Sequence, residues 1–89
     1  MVKTHEINLN TSTFNSLSNS SSMILKDDEN KIESNDYILF KQIEIVDDEI
    51  VETGLYMLIQ VKDIINNHPG LKDDYIFIEF KKIWNSKEG

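Results

Sequence analysis

The longest β-rich segment of this chain reads YILFKQIEIVDDEIVETGLYMLIQVKDII, residues 37–65. Its many β-branched and aromatic side chains favour strands. The consecutive acids at positions 47–49 predict a turn, so residues 37–46 and 54–65 are predicted to form the two strands of a hairpin. In the second strand, apolar residues recur at every second position and should share one buried face. They are Leu55, Met57, Ile59 and Val61.

Shorter elements precede this hairpin. Residues 4–9 alternate polar and apolar side chains, which predicts a half-buried strand. Helix N-cap residue types follow, and the apolar pair Phe14 and Leu17, three positions apart, predicts a short helix. The serines at positions 20–22 predict a turn, and residues 23–25 predict a short strand.

The rest of the chain completes a small β fold. Residues 26–36 are polar apart from Ile32 and predict a loop, whereas Pro69 and Gly70 mark a second interruption after the hairpin. Residues 75–84 predict a last strand with Ile76, Ile78 and Phe80 on one face. Strands with one short helix predict a mainly β (α+β) domain spanning residues 1–89. We expect a small, mainly antiparallel β-barrel, because closure removes exposed sheet edges.

The charge balance opposes binding to a polyanion. The chain has sixteen acids, nine lysines and no arginine, with a net charge of −7. Nucleic-acid binding relies on Lys and Arg to neutralise phosphates, and here only Lys81 and Lys82 are adjacent. The absence of cysteine excludes disulfides, thiolate metal sites and thiol catalysis. Because His5 and His68 form no metal-binding motif, we expect neither a metal nor a cofactor.

Neither a secretory signal nor a membrane span is predicted. The first ten residues, MVKTHEINLN, lack the apolar stretch of a signal peptide. No apolar run approaches the ~20 residues that cross a bilayer. We therefore expect a soluble, cytoplasmic protein without a membrane partner.

Five short motifs resemble a known family in their order. They are Thr4-His5-Glu6-Ile7, Phe14 within a helix, Asn35-Asp36-Tyr37-Ile38-Leu39 entering a strand, Thr53-Gly54 after a hairpin, and Gly70-Leu71-Lys72-Asp73-Asp74-Tyr75 before the last strand. This pattern resembles the ASCH family of PUA-like domains, in particular its small, mostly bacterial and phage subgroup of unknown function. The resemblance covers nearly the whole chain and implies a PUA-like β-barrel with a role in RNA binding. Some ASCH relatives are amidohydrolases that act on modified nucleosides.

The resemblance also implies where the family's cleft would lie. With the Asn-Asp pair at 35–36 placed on the family's Gly-Asp, five positions correspond to the cleft: Ser20, Ser21, Ser22, Ile24 and Lys26. The first two stand where the family has lysines, the third where it has a threonine, and the fourth where it has a glutamate. The fifth begins the segment KDDEN, which replaces a basic run. The resemblance therefore implies a degenerate cleft with reversed charge.

No catalytic residues are expected in this cleft. A serine and an isoleucine supply neither the amine of a lysine nucleophile nor the proton of an acid catalyst. His5 and Glu6 are adjacent, and adjacent strand positions point to opposite faces, so His5 is predicted to be an ordinary strand residue. We therefore expect no enzyme activity. The serine run is either a solvated turn or a loop whose hydroxyl and N–H groups hold an anion.

Acidic residues recur in three short sets. They are Asp27, Asp28 and Glu29; Asp47, Asp48 and Glu49, with Glu52 nearby; and Asp73 and Asp74. No set follows the alternating ligand spacing of an EF-hand, so these residues are candidates for partner binding rather than for a metal. In the simplest alternative they belong to solvated loops that keep the protein soluble.

Two function hypotheses follow. In the first, a non-enzymatic protein uses its acidic loops to bind a basic, nucleic-acid-binding protein, as a phage or mobile-element inhibitor of host defence (anti-CRISPR or anti-restriction type) would. In the second, an RNA-binding ASCH/PUA-like domain uses its remaining lysines and stacks bases on aromatic side chains. Those side chains are Tyr37, Tyr56, Tyr75, Phe77 and Trp84. Such aromatics on strands can equally serve as core or cross-strand partners. Nucleoside amidohydrolase activity is the third alternative.

Overall fold

The computed structural model of this protein describes residues 2–26, 31–65, 70 and 74–86. Four predicted partner-binding acids, Asp27, Asp28, Glu29 and Asp73, lie outside the described residues. The elements in chain order are β1 (Thr4–Asn10), α1 (Thr11–Leu17), β2 (Ser22–Lys26), β3 (Tyr37–Val46), β4 (Glu49–Ile65) and β5 (Tyr75–Asn85). Strands make up 68% of the described residues, which confirms the prediction of a mainly β fold with one short amino-terminal helix.

All five strands belong to one sheet, in the order β1-β3-β4-β5-β2. The sheet curls into a half-barrel. β1 pairs with β3 in parallel, and the other three pairs are antiparallel. The parallel pair arises because the chain leaves β1 through α1, forms β2 at the opposite edge of the sheet, and then returns to β3 beside β1.

Alternation of side chains along the strands builds the core. On the inner face of the sheet, the buried apolar strand residues are Leu25, Ile38, Phe40, Met57, Ile59, Val61, Ile76, Ile78 and Phe80. The buried faces of β4 and β5 are therefore the ones that the period-two pattern predicts. Phe14 and Leu17 of α1, together with Ile32 from the loop before β3, complete this cluster.

The helix α1 begins at a capped end. Asn10 is extended (φ −69°, ψ 165°), and its side chain accepts a hydrogen bond from the Thr13 N–H at 2.8 Å. Asparagine is a favoured N-cap residue for this reason. At the other end, Lys82 of β5 donates a hydrogen bond to the carbonyl of Ser18, which places a cation at the negative end of the helix. A helix this short is not stable alone, so these caps and its buried apolar contacts hold it.

The turn between β3 and β4 has two residues rather than the three predicted. Asp47 and Asp48 have positive φ angles of 52° and 65°. Two consecutive residues of this kind form the type I′ turn that matches the twist of a hairpin. Glu49 already pairs with Val46 as the first residue of β4. The prediction that this strand resumes at residue 54 is therefore wrong at its start.

A bulge interrupts the β3–β4 pairing at Gln42, which faces residues 53–55 of β4. Gly54 there has φ 89°, a conformation that glycine adopts without a steric penalty. Gln42 is buried, and the hydroxyl of Thr53 donates a hydrogen bond to its Oε1 at 2.7 Å. Bulges bend a strand and increase its twist. This one separates the buried inner part of the hairpin from an exposed outer part.

Candidate functional site

The outer part of the β3–β4 hairpin, residues 44–52, is called the acidic hairpin here. It carries five carboxylates and no lysine, and every one of its residues is exposed. The carboxylates belong to Glu44, Asp47, Asp48, Glu49 and Glu52. Four of them are predicted partner-binding residues that the structure brings together. The fifth, Glu44, was not predicted. It lies near them because it pairs with Val51, the neighbour of Glu52 in the opposite strand of the hairpin.

The acidic hairpin holds most of the net charge of the molecule. The whole chain has sixteen acids and nine lysines. Outside residues 44–52, eleven acids and nine lysines remain, a net charge of −2 against −5 on the hairpin. The negative potential is therefore concentrated on one projecting element instead of being spread evenly over the surface.

One lysine lies at the base of the acidic hairpin. The Nζ atom of Lys41 lies 3.3 Å from an Oε atom of Glu6 and 3.7 Å from one of Glu52. The hydrogen bond to Glu6, followed by the charge of Glu6, raises the pKa of Lys41 above its ordinary value. In the described part of the chain, no cation pairs with the carboxylates of Asp47, Asp48 or Glu49. The tip of the hairpin is thus the unneutralised part.

A second surface feature is an open groove between the end of α1 and β5, called the serine–lysine groove here. Its lining residues are Ser18, Asn19, Ser20, Ser21, Phe80, Lys81 and Lys82. Ser20 and Ser21, two positions of the predicted degenerate cleft, therefore lie beside the two adjacent lysines of the sequence. Sequence reasoning missed this neighbourhood, because it depends on β2 and β5 pairing over more than fifty residues of chain.

Part of the hydrogen-bonding capacity of this groove is used by the helix end. Lys82 is bonded to the Ser18 carbonyl, and the Ser20 hydroxyl donates to the Ser16 carbonyl at 3.2 Å. The Oγ atom of Ser18 is buried and has no hydrogen-bond partner among the described residues. Lys81 is exposed. The groove thus presents one exposed ammonium group next to serine hydroxyls.

The other three positions of the predicted cleft lie along β2. This strand extends one residue beyond each end of the predicted one, so Ser22 begins it and is not part of the turn, and Lys26 ends it. Ile24 is 56% exposed on the outer face. Because side chains alternate along a strand and Leu25 is the buried residue of β2, these three side chains lie on the opposite face, away from the core.

Asp74 lies far from the acidic hairpin. It directly precedes β5, whose first half pairs with the carboxyl end of β4, as in the pair Ile65 and Phe77. The acidic hairpin contains the amino end of β4. Since β4 runs through seventeen residues, the two acidic sites lie at opposite ends of the longest strand.

The aromatic candidates for base stacking lie on the outer face of the sheet. Trp84 is 50% exposed and pairs across the strands with Leu58. The other four, Tyr37, Tyr56, Tyr75 and Phe77, are half-buried. None of the five lines the serine–lysine groove. Their positions on paired strands are those of cross-strand partners, and Trp84 is the most exposed to solvent of the five.

A buried pair of ionisable residues connects β1 to the loop before β3. His5 donates a hydrogen bond from Nε2 to Oδ2 of Asp36 at 2.8 Å. Both residues are buried, with exposed fractions of 8% and 1%. The prediction that His5 and Glu6 point to opposite faces is confirmed, but the partner of His5 was missed. Its only sequence signals are a histidine on the apolar side of a strand and an acid that ends a loop.

Asp36 also accepts two backbone hydrogen bonds. The N–H groups of Lys3 and Glu33 each donate to it at 3.0 Å. Burial acts to raise the pKa of Asp36, but the hydrogen bond from His5, the two N–H groups and the charge of His5 outweigh it and hold the pKa below its ordinary value of 3.8. Asp36 is therefore ionised at neutral pH and organises the structure around it.

Two comparisons, with protein-family models and with curated proteins, yield no relative of this chain. In the portion of the chain with described coordinates, no three His, Asp or Glu side chains gather in a way that could hold a metal ion. No helix in that same portion is long and apolar enough to cross a membrane.

Proposed function

We propose that this protein is a non-enzymatic interaction protein that binds a basic, nucleic-acid-handling protein through its acidic hairpin. One observation carries the proposal: five of the seven units of net negative charge lie on one exposed hairpin. Opposite potentials on two proteins speed their encounter and orient it. A protein that binds nucleic acid presents Lys and Arg to phosphates, and it offers such a surface.

The proposal includes a biological role, the inhibition of a host defence nuclease by a phage or mobile-element protein. The motif order resembles the phage and bacterial ASCH subgroup, and small acidic proteins of phages or mobile elements suit the inhibition of a host defence nuclease. Carboxylates at the hairpin tip would compete with phosphates for the same cationic groove. Because Asp47 and Asp48 sit in a two-residue turn between paired strands, the backbone that carries these charges is already folded before binding.

Neutralising the hairpin tip tests the proposal. Replacing Asp47, Asp48 and Glu49 by Asn, Asn and Gln changes the net charge from −7 to −4. The partner is first recovered by affinity capture with the wild-type protein from a host lysate and identified. Surface plasmon resonance at low salt should then show an association rate about tenfold lower for the variant, because electrostatic steering is lost.

A matched control separates location from total charge. Glu33, Asp63 and Glu79 are exposed and lie outside the acidic hairpin. Changing them to Gln, Asn and Gln gives the same net charge of −4 and should leave the association rate within about twofold of wild type. Equal rates for the hairpin variant and the wild-type protein would refute the proposed role of the hairpin.

RNA binding in the serine–lysine groove is the second candidate function. The observation that favours it is the placement of Lys81 and Lys82 beside Ser20 and Ser21. Fluorescence anisotropy with single-stranded and double-stranded RNA at low salt tests it. Binding that weakens steeply with salt and is lost on Lys81→Gln would favour RNA over a protein partner, because counterion release requires that dependence.

A further inference from the structure

The acidic hairpin exposes apolar side chains on both of its faces. Ile45 and Ile50 lie directly opposite each other and are 74% and 66% exposed. Val46 and Val51, on the other face, are 48% and 43% exposed. Directly opposed residues of an antiparallel pair share a face, whereas successive residues alternate. The hairpin is therefore apolar on both sides as well as acidic.

The face that carries the isoleucine pair continues into a shallow hollow at the base of the hairpin. The lining residues of this hollow are Asn10, Thr11, Ser12, Ile43, Glu44 and Ile45. Single exposed apolar residues are ordinary on protein surfaces, but adjacent ones that form a contiguous patch mark interaction sites. On this face, the isoleucine pair and the neighbouring Ile43 make such a patch, whereas Val46 and Val51 lie on the opposite face.

We propose that the acidic hairpin inserts into a cleft of its basic partner, with the pair Ile45 and Ile50 buried in an apolar pocket that is rimmed by Lys or Arg. This inference rests on the proposed function and names the chemistry of the cleft. Because apolar side chains are exposed on both faces of the hairpin, insertion between two walls of a cleft would bury more of them than docking on a flat surface. Charge selects the occupant: with five carboxylates and no lysine on each hairpin, a second copy of this chain would be repelled.

The carboxylates and the isoleucines of the hairpin then have different effects on binding. The carboxylates attract the partner at long range and set the association rate. The isoleucine pair is buried only in the complex, where apolar side chains near the centre of an interface resist dissociation. Loss of the isoleucines should therefore leave the encounter intact and shorten the lifetime of the complex.

Two synthetic peptides of equal charge and length serve as probes: one alternates Lys with Leu, and the other alternates Lys with Ser. Binding of each to the full chain is measured by isothermal titration calorimetry. We expect the wild-type protein to bind the Lys–Leu peptide about tenfold more tightly than the Lys–Ser peptide. The variant I45T/I50T, which keeps β-branched side chains and so keeps the strands, should lose this preference and retain its affinity for the Lys–Ser peptide.

The matched control is I24T/I83T, because Ile24 and Ile83 are exposed apolar strand residues outside the hairpin. It should keep the wild-type preference for the Lys–Leu peptide. If the wild-type protein binds both peptides equally, or if the preference survives in I45T/I50T, the inference is overturned while the charge-based function stands. If neutralising Asp47, Asp48 and Glu49 leaves binding of the Lys–Ser peptide unchanged, the proposed function itself fails.

Sedimentation velocity tests the alternative occupant. The wild-type protein should sediment as a monomer at all concentrations, since like-charged hairpins repel. A dimer that is abolished in I45T/I50T would overturn the inference and identify a second copy of the chain as the occupant of the apolar patch.

Discussion

Asp36 joins two parts of the chain, the start of β1 and the loop before β3, through one carboxylate. It accepts hydrogen bonds from the Lys3 N–H, the Glu33 N–H and the ring of His5. A buried carboxylate is tolerated only when its oxygens are paired in this way. Since Lys3 and His5 flank the start of β1, the contact fixes the edge strand against the loop that leads into β3.

Replacing Asp36 by Asn should destabilise the fold. An amide of the same shape retains one acceptor oxygen but loses the charge that strengthens all three hydrogen bonds, so we expect a loss of about 2–4 kcal/mol in the free energy of unfolding. Urea denaturation at neutral pH, with circular dichroism as the probe, measures this loss of free energy. The exposed Asp63→Asn is the control and should change the free energy by less than about 0.5 kcal/mol.

The same contact predicts acid sensitivity. Because the pKa of Asp36 is lower in the folded than in the unfolded chain, its contribution to stability is present above the ordinary value of 3.8 and is lost as the pH falls through the folded pKa. Between neutral pH and about pH 3, the wild-type protein should therefore lose more stability than the Asp36→Asn variant does. Parallel losses in the two proteins would show that Asp36 does not carry the acid dependence.

At the scale of elements, the sequence predicts strands better than their connections. Tyr37–Val46 has the predicted bounds because its β-branched and aromatic residues leave no alternative to a strand. The turn after it is shorter than predicted because Asp47 and Asp48 both adopt positive φ, which aspartate tolerates more readily than most residues. As a result, Glu49 is the first residue of β4 and not the last residue of the turn.

Contacts between elements could not be predicted from local sequence patterns. The parallel pairing of β1 with β3 depends on the path of the chain through α1 and β2, which periodicity does not record. His5 and Asp36 are separated by thirty-one positions. The sequence predicts that the acids at 47–49 lie where the hairpin reverses, although only Asp47 and Asp48 form the turn itself. The addition of Glu44 and the exposure of Ile45 follow from the register and the bulge.

The amino terminus of α1 offers a prediction at this scale. Asn10→Ala removes the acceptor for the Thr13 N–H, and we expect a loss of about 1 kcal/mol in the free energy of unfolding. Asn8→Ala, an exposed change in the same strand, is the control and should cost about half of that or less. Urea denaturation of both variants distinguishes a lost cap from a general weakening of β1, which would make the two losses equal.

The whole molecule is electrostatically asymmetric. A body with a charge of −2 supports a hairpin with a charge of −5. Such a distribution orients an approaching cationic partner toward the hairpin before any contact forms. It also places like charges close together at residues 47–49, where the described residues supply no cation, so the arrangement that favours association opposes the folded hairpin.

Salt should therefore act in opposite directions on stability and on association. Sodium chloride at about 0.3 M shortens the screening length to roughly 6 Å, which weakens repulsion among the hairpin carboxylates. We expect Tm, followed by circular dichroism, to rise by about 2–4 °C between ~0.02 M and ~0.3 M salt. The variant with Asn, Asn and Gln at 47–49 should show a smaller rise, because part of the repulsion is already removed. A Tm that falls with salt would mean that attractive pairs such as Lys41 with Glu6 outweigh the repulsion, and that the charges of the hairpin do not oppose folding.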